Sequence, residues 1–370
     1  MSSNKQILDI LRKVKHPEKQ EDIVSLGMVD DIKIDGKKIS FSLHFKKSND
    51  PFISSIRKAC VQAIESELGE EAEIRGNISV KVPEQKKQNT KEEEENKLPG
   101  VKNIIAVASG KGGVGKSTVA VNTAVSLANA GAKVGLLDAD IYGPSIPKMF
   151  NVEGQRPYVK KVDNTDMITP IEKYGVKMLS IGFFVNPEDA LVWRGPMATN
   201  ALKQLLEQGE WGELDYLVVD LPPGTSDIHL TLVQELAVTG AVIVSTPQKV
   251  ALADAIKGIR MFTNEKINVP ILGLVENMSW FTPEELPENK YFIFGKEGCK
   301  QLAEQENVPL LGQIPIVQGI TEGGDSGIPN AADETSMIGN AFKKLAENLM
   351  QQVDKRNKES DPTKRVKIKK

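Results

Sequence analysis

The 370-residue sequence has only two cysteines, Cys60 and Cys299, and three histidines. Two cysteines cannot build a disulfide framework, and no zinc-ligand spacing is present. No apolar run approaches the roughly 18 residues that a membrane-spanning helix needs. The first residues, MSSNKQILDI, lack an apolar segment of signal-peptide length. These absences predict a cytoplasmic protein that does not enter the membrane.

Neither sign of charge dominates the sequence. It has 47 Lys and Arg against 50 Asp and Glu, which leaves a formal net charge of −3. The composition therefore gives no overall attraction to nucleic acid or to an anionic membrane, and we expect no nucleic-acid partner. Hydrophobic residues make up 40% and charged residues 26%, as in ordinary globular domains.

One long stretch, residues 82–100, contains almost no apolar side chain. Its sequence, VPEQKKQNTKEEEENKLPG, cannot bury apolar surface, and prolines bracket it. We therefore predict a flexible charged linker at residues 84–99, between a small domain at 1–83 and a large domain at 100–354. The last residues, 355–370, are basic and are predicted to be a disordered tail.

The small domain mixes helical and strand patterns. NKQILDILRKVK has apolar residues at helical spacing, and FISSIRKACVQAIESELG repeats that period. KISFSLHF alternates apolar and polar residues as a half-buried strand does, and EIRGNISVKV is typical of a final strand. The pattern predicts a compact α+β unit.

The large domain contains short apolar runs that do not alternate, which is typical of strands covered on both faces. Helical segments separate most of these runs, so we predict an α/β fold with a doubly wound, mainly parallel sheet. Ligands of such sheets bind at the carboxyl ends of the strands. The runs are NIIAVAS, KVGLLDAD, YLVVDLP, AVIVSTP, ILGLVEN and LLGQIPI.

The stretch SGKGGVGKST joins the first of these runs to a helical segment and matches the P-loop pattern G-x-x-x-x-G-K-[ST]. Its backbone N–H groups and the helix N-terminus would cradle phosphate oxygens. Lys116 would contact the β and γ phosphates, Ser117 would ligate Mg²⁺, and Thr118 would reach the α phosphate. The predicted nucleotide-binding residues of the loop are Gly110, Lys111, Gly112, Gly113, Val114, Gly115, Lys116, Ser117 and Thr118.

Acidic residues follow two other strands of the predicted sheet. LLDAD ends with Asp138 and Asp140, and YLVVD ends with Asp220. A carboxylate after an apolar strand is the Walker B arrangement, so we predict that Asp220 holds Mg²⁺ through water. Asp140 is predicted to orient or activate the attacking water.

The loop also carries an early lysine, Lys111, which an ordinary P-loop does not need. KGGVGKST resembles the deviant Walker A loop of the MinD, ParA and nitrogenase-iron-protein ATPases. In that group the early lysine reaches the partner's phosphates across a nucleotide-sandwich dimer. The resemblance implies a homodimer in which Lys111 acts in trans on the developing phosphate charge, alongside Lys116 and Asp140.

Longer stretches, among them DADIYGPSIP and VENMSWF, resemble the Mrp/ApbC family of iron–sulfur cluster carrier ATPases over residues 100–350. Residues 16–36 resemble the small iron–sulfur-assembly domain often fused to them. The resemblance implies ATP hydrolysis with Mg²⁺, a [4Fe–4S] cluster, and iron–sulfur apoproteins or assembly proteins as partners. It also implies that Asn277 and the segment around Pro315 lie near the adenine.

The sequence departs from this family where the cluster is held. Family members usually carry C-x-x-C shortly after the ENMS segment, and here Pro283 and Leu286 occupy those places. In the small domain, Asp50-Pro51 stands where the family has Cys-Pro. Cys60 is expected to be a core residue. Cys299, predicted at the start of a helix where a thiol pKa is lowered, is the one candidate ligand left.

Two functions therefore stay open. The first is an ATP-hydrolysing carrier that transfers iron–sulfur clusters to apoproteins. The second is a nucleotide-gated dimeric switch or scaffold that binds partners and has no cluster of its own, which the missing cysteine pair favours.

Overall fold

The chain forms two compact units, Met1–Glu93 and Glu94–Lys370. Most of the predicted linker, residues 84–96, lies outside the part that the structure describes. Across the described residues, no helix combines the length and apolar character needed to span a bilayer. The computed structural model describes residues 3–45, 50, 52–69, 72–74, 76–81, 97–162, 165–184, 195–283, 285–286, 288–317, 319, 323–324 and 326–366.

The small unit packs two helices on a three-stranded sheet. The elements are α1 (Asn4–Leu11), β1 (Val29–Asp35), β2 (Lys38–His44), α2 (Ile53–Leu68) and β3 (Ile78–Lys81). Strand β2 is central, antiparallel to β1 and parallel to β3. Cys60 is fully buried in the core, as predicted. The sequence analysis missed β1, because its register shifts between Asp30 and Lys33 and interrupts the alternation.

The large unit is built from strands and helices that alternate along the chain. Its strands are β4 (Val101–Ala108), β5 (Val134–Asp138), β6 (Tyr158–Val162), β7 (Thr165–Thr169), β8 (Ile171–Lys173), β9 (Val176–Ser180), β10 (Leu214–Asp220), β11 (Gly240–Ser245), β12 (Ile271–Glu276) and β13 (Leu310–Gln313). Its helices are α3 (Lys116–Asn129), α4 (Ile146–Met149), α5 (Gly195–Glu207), α6 (Asp227–Glu235), α7 (Lys249–Thr263), α8 (Gly298–Gln305) and α9 (Met337–Glu359).

Eight strands form one sheet in the order β13-β12-β11-β4-β10-β5-β9-β8. All neighbours are parallel except β8 and β9. Adjacent residues of one strand enter different cores: Ile104 packs with α5, α6 and α7, and Ile105 packs with α3 and α9. This two-sided burial explains the apolar runs without alternation, and it confirms the predicted doubly wound sheet.

Strands β6 to β9 were not predicted. Strands β6 and β7 form a separate antiparallel hairpin, and all five β6 side chains are exposed. Because neither face of β6 is buried, its sequence has no periodic apolar pattern that would predict a strand. β8 has only three residues and therefore gives almost no periodic signal.

The predicted boundaries of the large domain are too narrow at both ends. Leu98 is buried in the core, and Lys97 forms ion pairs with Glu207 and Glu235, so packing begins inside the predicted linker. At the other end, α9 continues to Glu359, and Val366 is buried with its N–H donating to the Val233 carbonyl at 2.8 Å. The prediction of disorder was therefore wrong for residues 355–366, because Val366 is an apolar residue of this basic stretch that packs in the core. Residues 367–370 lie outside the described chain.

Candidate nucleotide-binding site

The predicted phosphate loop lies between the carboxyl end of β4 and the start of α3. Gly115 precedes α3 with a left-handed φ of +78°, and a Cβ there would lie 2.2 Å from Nδ2 of Asn277. A Cβ on Gly110 would lie 2.1 Å from the carbonyl carbon of Asp254 in α7. Both positions therefore require glycine, which lets the loop backbone approach its neighbours this closely.

The loop borders a cavity of about 230 Å³. Every predicted residue from Lys111 to Thr118 lines it, together with Asp140, Ser145 and Pro223, whereas Gly110 packs against α7. No side chain caps the N-terminus of α3 at Gly115. The N-cap glycine therefore supplies no acceptor to the first N–H groups of α3, and a helix N-terminus of this kind binds phosphate.

Lys116 connects the loop to the two acidic strand ends. Its Nζ lies 2.5 Å from Oδ1 of Asp220 and 3.7 Å from Oδ2 of Asp140, and it donates to the Ser117 hydroxyl at 3.3 Å. The Lys116 side chain is 5% exposed and that of Asp220 fully buried. The fold thus brings together residues that lie up to 104 positions apart in the sequence.

Asp138, for which the sequence analysis found no separate role, holds the loop that carries Asp140. Its Oδ1 accepts the N–H of Asp140 at 3.2 Å, and its Oδ2 accepts the Ser180 hydroxyl at 2.9 Å and the Ile146 N–H at 3.4 Å. Burial, and then the negative charge of Asp220, raise the pKa of Asp138 to about 8. A neutral Asp138 can therefore stand beside Asp220 without a second cation.

The donor set near Lys116 fits a magnesium ion. Oδ2 of Asp220 is buried and has no hydrogen-bond partner among the described residues. The Ser117 hydroxyl lies within reach of the same lysine. A hydroxyl and a carboxylate oxygen are ligands that Mg²⁺ prefers, directly or through water. The described residues contain no group of three or more His, Cys, Asp or Glu side chains that could hold a metal by themselves.

Asn277 lies at the nucleotide loop, and Pro315 does not. The Asn277 side-chain amide donates to the Val114 carbonyl at 2.8 Å, and Asn277 is 4% exposed. Pro315 is buried two residues after β13 and is not among the described residues that line the cavity. The predicted adenine contact of each residue stays a prediction.

Cys299 begins α8 as predicted, but it is a poor ligand. Its side chain is fully buried, and Sγ lies 3.8 Å from the Thr246 carbonyl. Burial, and then the nearby Glu276, raise the pKa of the Cys299 thiol well above its ordinary value. The expectation that the start of a helix lowers this pKa is not met, because burial removes the thiolate from water and Glu276 adds a nearby negative charge.

His229 is a buried part of the segment that follows Asp220. Its Nδ1 accepts the Ser226 N–H at 3.2 Å, which completes the N-terminal cap of α6. Burial, and then the positive charge of Lys116, lower the pKa of His229 to about 4. Its Nε2 is buried without a hydrogen-bond partner in the described chain. His229 is therefore neutral at physiological pH.

A comparison with known families agrees with this geometry. The profile described as NUBPL iron-transfer P-loop NTPase matches residues 100–350, which is more than half of the chain. The chain belongs to this family. A second profile, described as iron–sulfur cluster assembly protein, matches residues 4–75. The predicted resemblance of both regions is confirmed.

Named relatives cover most of this NUBPL-family chain. The iron–sulfur cluster carrier protein of Synechocystis is 45% identical over 87% of this chain and 90% of its own length. That of Haemophilus influenzae is 42% identical over 93% of this chain and 90% of its own. A nucleotide-binding protein from Archaeoglobus fulgidus, solved with ADP, is 36% identical over 67% of this chain and 96% of that one, with a TM-score of 0.57.

We expect Asp138→Asn to change how stability depends on pH. The folded-state pKa of Asp138 is raised above its unfolded value of 3.8, so the wild type loses stability as the pH rises toward about 8. An amide mimics the neutral carboxyl and does not ionise. The melting temperature of the variant minus that of the wild type should increase by a few degrees between pH 5 and 8. The same difference in melting temperature at pH 5 and pH 8 would contradict the raised pKa of Asp138.

We expect His229→Gln to protect the protein against acid. The folded-state pKa of His229, about 4, lies below the unfolded value of 6.5, so stability is lost as the pH falls from 6.5 to 4. The shift corresponds to about 3 kcal/mol. Urea unfolding at pH 7 and pH 4 should show that the wild type loses about this much more than the variant. Equal losses would show that His229 is not the group that titrates.

Proposed function

We propose that this protein is an ATP-hydrolysing carrier that transfers iron–sulfur clusters to apoproteins and acts as a homodimer. The observation that carries the proposal is the buried Lys116 ammonium, held between Asp220 and Asp140 at the mouth of a glycine-lined phosphate cavity. Family membership and the names of the two bacterial relatives support the choice of cargo.

In the proposed hydrolysis reaction, each residue of the site has a separate role. The loop N–H groups and Lys116 bind the phosphates, so Lys116 exchanges its contact with Asp220 for phosphate oxygens. Ser117 and, through water, Asp220 would hold Mg²⁺, which neutralises phosphate charge when it is bound. Asp140 faces Lys116 from the loop after β5 and would orient the attacking water. Lys111 of a second copy would complete the positive charge around the γ phosphate.

The thiols of this chain do not fit a resident [4Fe–4S] cluster. Burial raises the pKa of Cys60 to about 12, and Cys299 is fully buried. A cluster ligand must be an accessible thiolate. In the proposed function the cluster is therefore cargo and not a resident cofactor.

The burial of both cysteines favours a second candidate function, the partner-binding switch without its own cluster. In such a switch, ATP would order the segments after Asp140 and Asp220, and hydrolysis would release them. The nucleotide chemistry is the same in both candidates, so iron binding separates them.

Lys111→Ala should abolish ATP hydrolysis while ATP binding to the monomer survives. Lys111 lines the cavity, and its proposed role is to stabilise the transition state across the dimer. We expect turnover to fall by at least about 100-fold. Phosphate release and equilibrium titration with a fluorescent ATP analogue measure the two effects. Lys133→Ala, at an exposed lysine, is the matched control; unchanged turnover in Lys111→Ala would refute the role in trans.

Anaerobic reconstitution with iron and sulfide tests the cargo. We expect wild type and Cys299→Ser to bind the same amount of iron per dimer and to pass it to an apo-ferredoxin, because the cargo would be held by ligands other than this buried thiol. Iron analysis and the visible absorbance of the ferredoxin report the result. A colourless protein that still hydrolyses ATP would support the switch instead. Loss of iron in Cys299→Ser alone would show that this thiol becomes a ligand.

A further inference from the structure

The segment 277–298 leaves the sheet at the end of β12 and returns at the start of α8. It contains the places where the family's cysteine pair would stand. Among its described residues, Leu286, Tyr291 and Ile293 are 49%, 46% and 63% exposed. The segment therefore presents several large apolar side chains to solvent.

Glu276, the last residue of β12, has no exposed surface although it is acidic. Its Oε2 accepts the backbone N–H of Cys299 at 2.7 Å, and its Oε1 accepts the side-chain amide of Gln313 at 2.7 Å. Each carboxylate oxygen therefore has its own donor. Removing either partner would leave a buried polar group unpaired, which is costly.

The hydrogen bond to Cys299 connects the two ends of segment 277–298. The segment begins directly after Glu276, and Cys299 is the first residue beyond its other end. Gln313, the last residue of β13, is paired in register with Glu276 and holds the carboxylate from the neighbouring strand. Closing a segment of this length costs chain entropy, and the Glu276–Cys299 contact offsets part of that cost.

The start of segment 277–298, at Asn277, contacts the nucleotide loop. Asn277 donates its side-chain amide to the Val114 carbonyl at 2.8 Å and its N–H to the Ser245 carbonyl at 2.8 Å. The residue that contacts the phosphate loop, Asn277, directly follows Glu276, whose carboxylate accepts the Cys299 N–H at the far end of the segment. Asn277 therefore connects the phosphate loop to the start of the segment that carries the exposed apolar residues.

We propose that Glu276 is a positioning residue: its carboxylate holds both ends of segment 277–298 and couples the nucleotide loop to the surface that this segment presents. The inference rests on the proposed function only in that this surface would receive the client. The coupling itself is a property of nucleotide binding and needs no iron.

Hydrogen exchange of segment 277–298, with and without Mg·ATP, tests the coupling. In the wild type we expect nucleotide to slow exchange in the segment. Glu276→Gln places an amide NH₂ against one of the two donors, and the segment should exchange about tenfold faster. It should also lose its response to nucleotide, while ATP affinity stays within about twofold of the wild type because Glu276 does not line the cavity.

A reciprocal exchange separates positioning from simple loss of packing. In the double variant Glu276→Gln with Gln313→Glu, the new amide oxygen accepts the Cys299 N–H and the new NH₂ donates to the carboxylate at position 313. This variant should recover the nucleotide response. Gln313→Glu alone sets two carboxylates against each other and should lose it. Glu297→Gln, at a half-buried residue directly before α8, is the matched control and should behave as the wild type.

Several results would overturn the inference. A full nucleotide response in Glu276→Gln would do so, and so would a folded double variant without recovery. If Glu276→Gln does not fold, Gln313→Ala serves instead, because it keeps the Cys299 contact and should lose part of the nucleotide response. An unchanged response in Gln313→Ala would then count against the coupling. An intact exchange response in a protein that transfers no cluster would refute the proposed function and leave the coupling standing.

Discussion

The ammonium group of Lys116 is the charge on which the site depends. It is almost fully buried, and the carboxylate that neutralises it comes from Asp220, at the end of another strand. A buried charge without a partner is strongly destabilising, so the loop, β5 and β10 are held in one arrangement. A bound phosphate would give Lys116 a new partner and release Asp220. Burial, and then the negative charge of Asp220, raise the pKa of Asp138, so that Asp138 does not add a further negative charge beside Lys116.

Two buried carboxyl groups organise the segments that leave this edge of the sheet. Asp138 binds the N–H groups of Asp140 and Ile146, which lie near the two ends of one loop. Glu276 does the same for segment 277–298 through Cys299. In both cases a strand-end acid accepts backbone N–H groups from the segment that follows it. The loops near the nucleotide are therefore connected to the rigid sheet at defined points, and nucleotide contacts can shift them as units.

The cargo is the part of the function that the chain's own side chains explain least. Both thiols are core residues, and the segment for which the family resemblance implies a cysteine pair holds Pro283 and Leu286 at those places. The described residues that line the phosphate cavity include none from that segment. The proposed nucleotide chemistry is therefore separate from the question of how a cluster is held.

The sequence by itself determined the parallel sheet and the phosphate loop, because both are local patterns: strands buried on two faces read as unbroken apolar runs, and glycine is required where the backbone must turn tightly. It also placed Lys116, Asp140 and Asp220 at strand ends that a parallel sheet brings to one edge. Only the tertiary structure decided the burial of Cys299 and Val366, the raised pKa of Asp138 and the hydrogen-bond partners of Glu276. Burial and hydrogen-bond partners depend on residues far apart in the chain, and no local pattern records them.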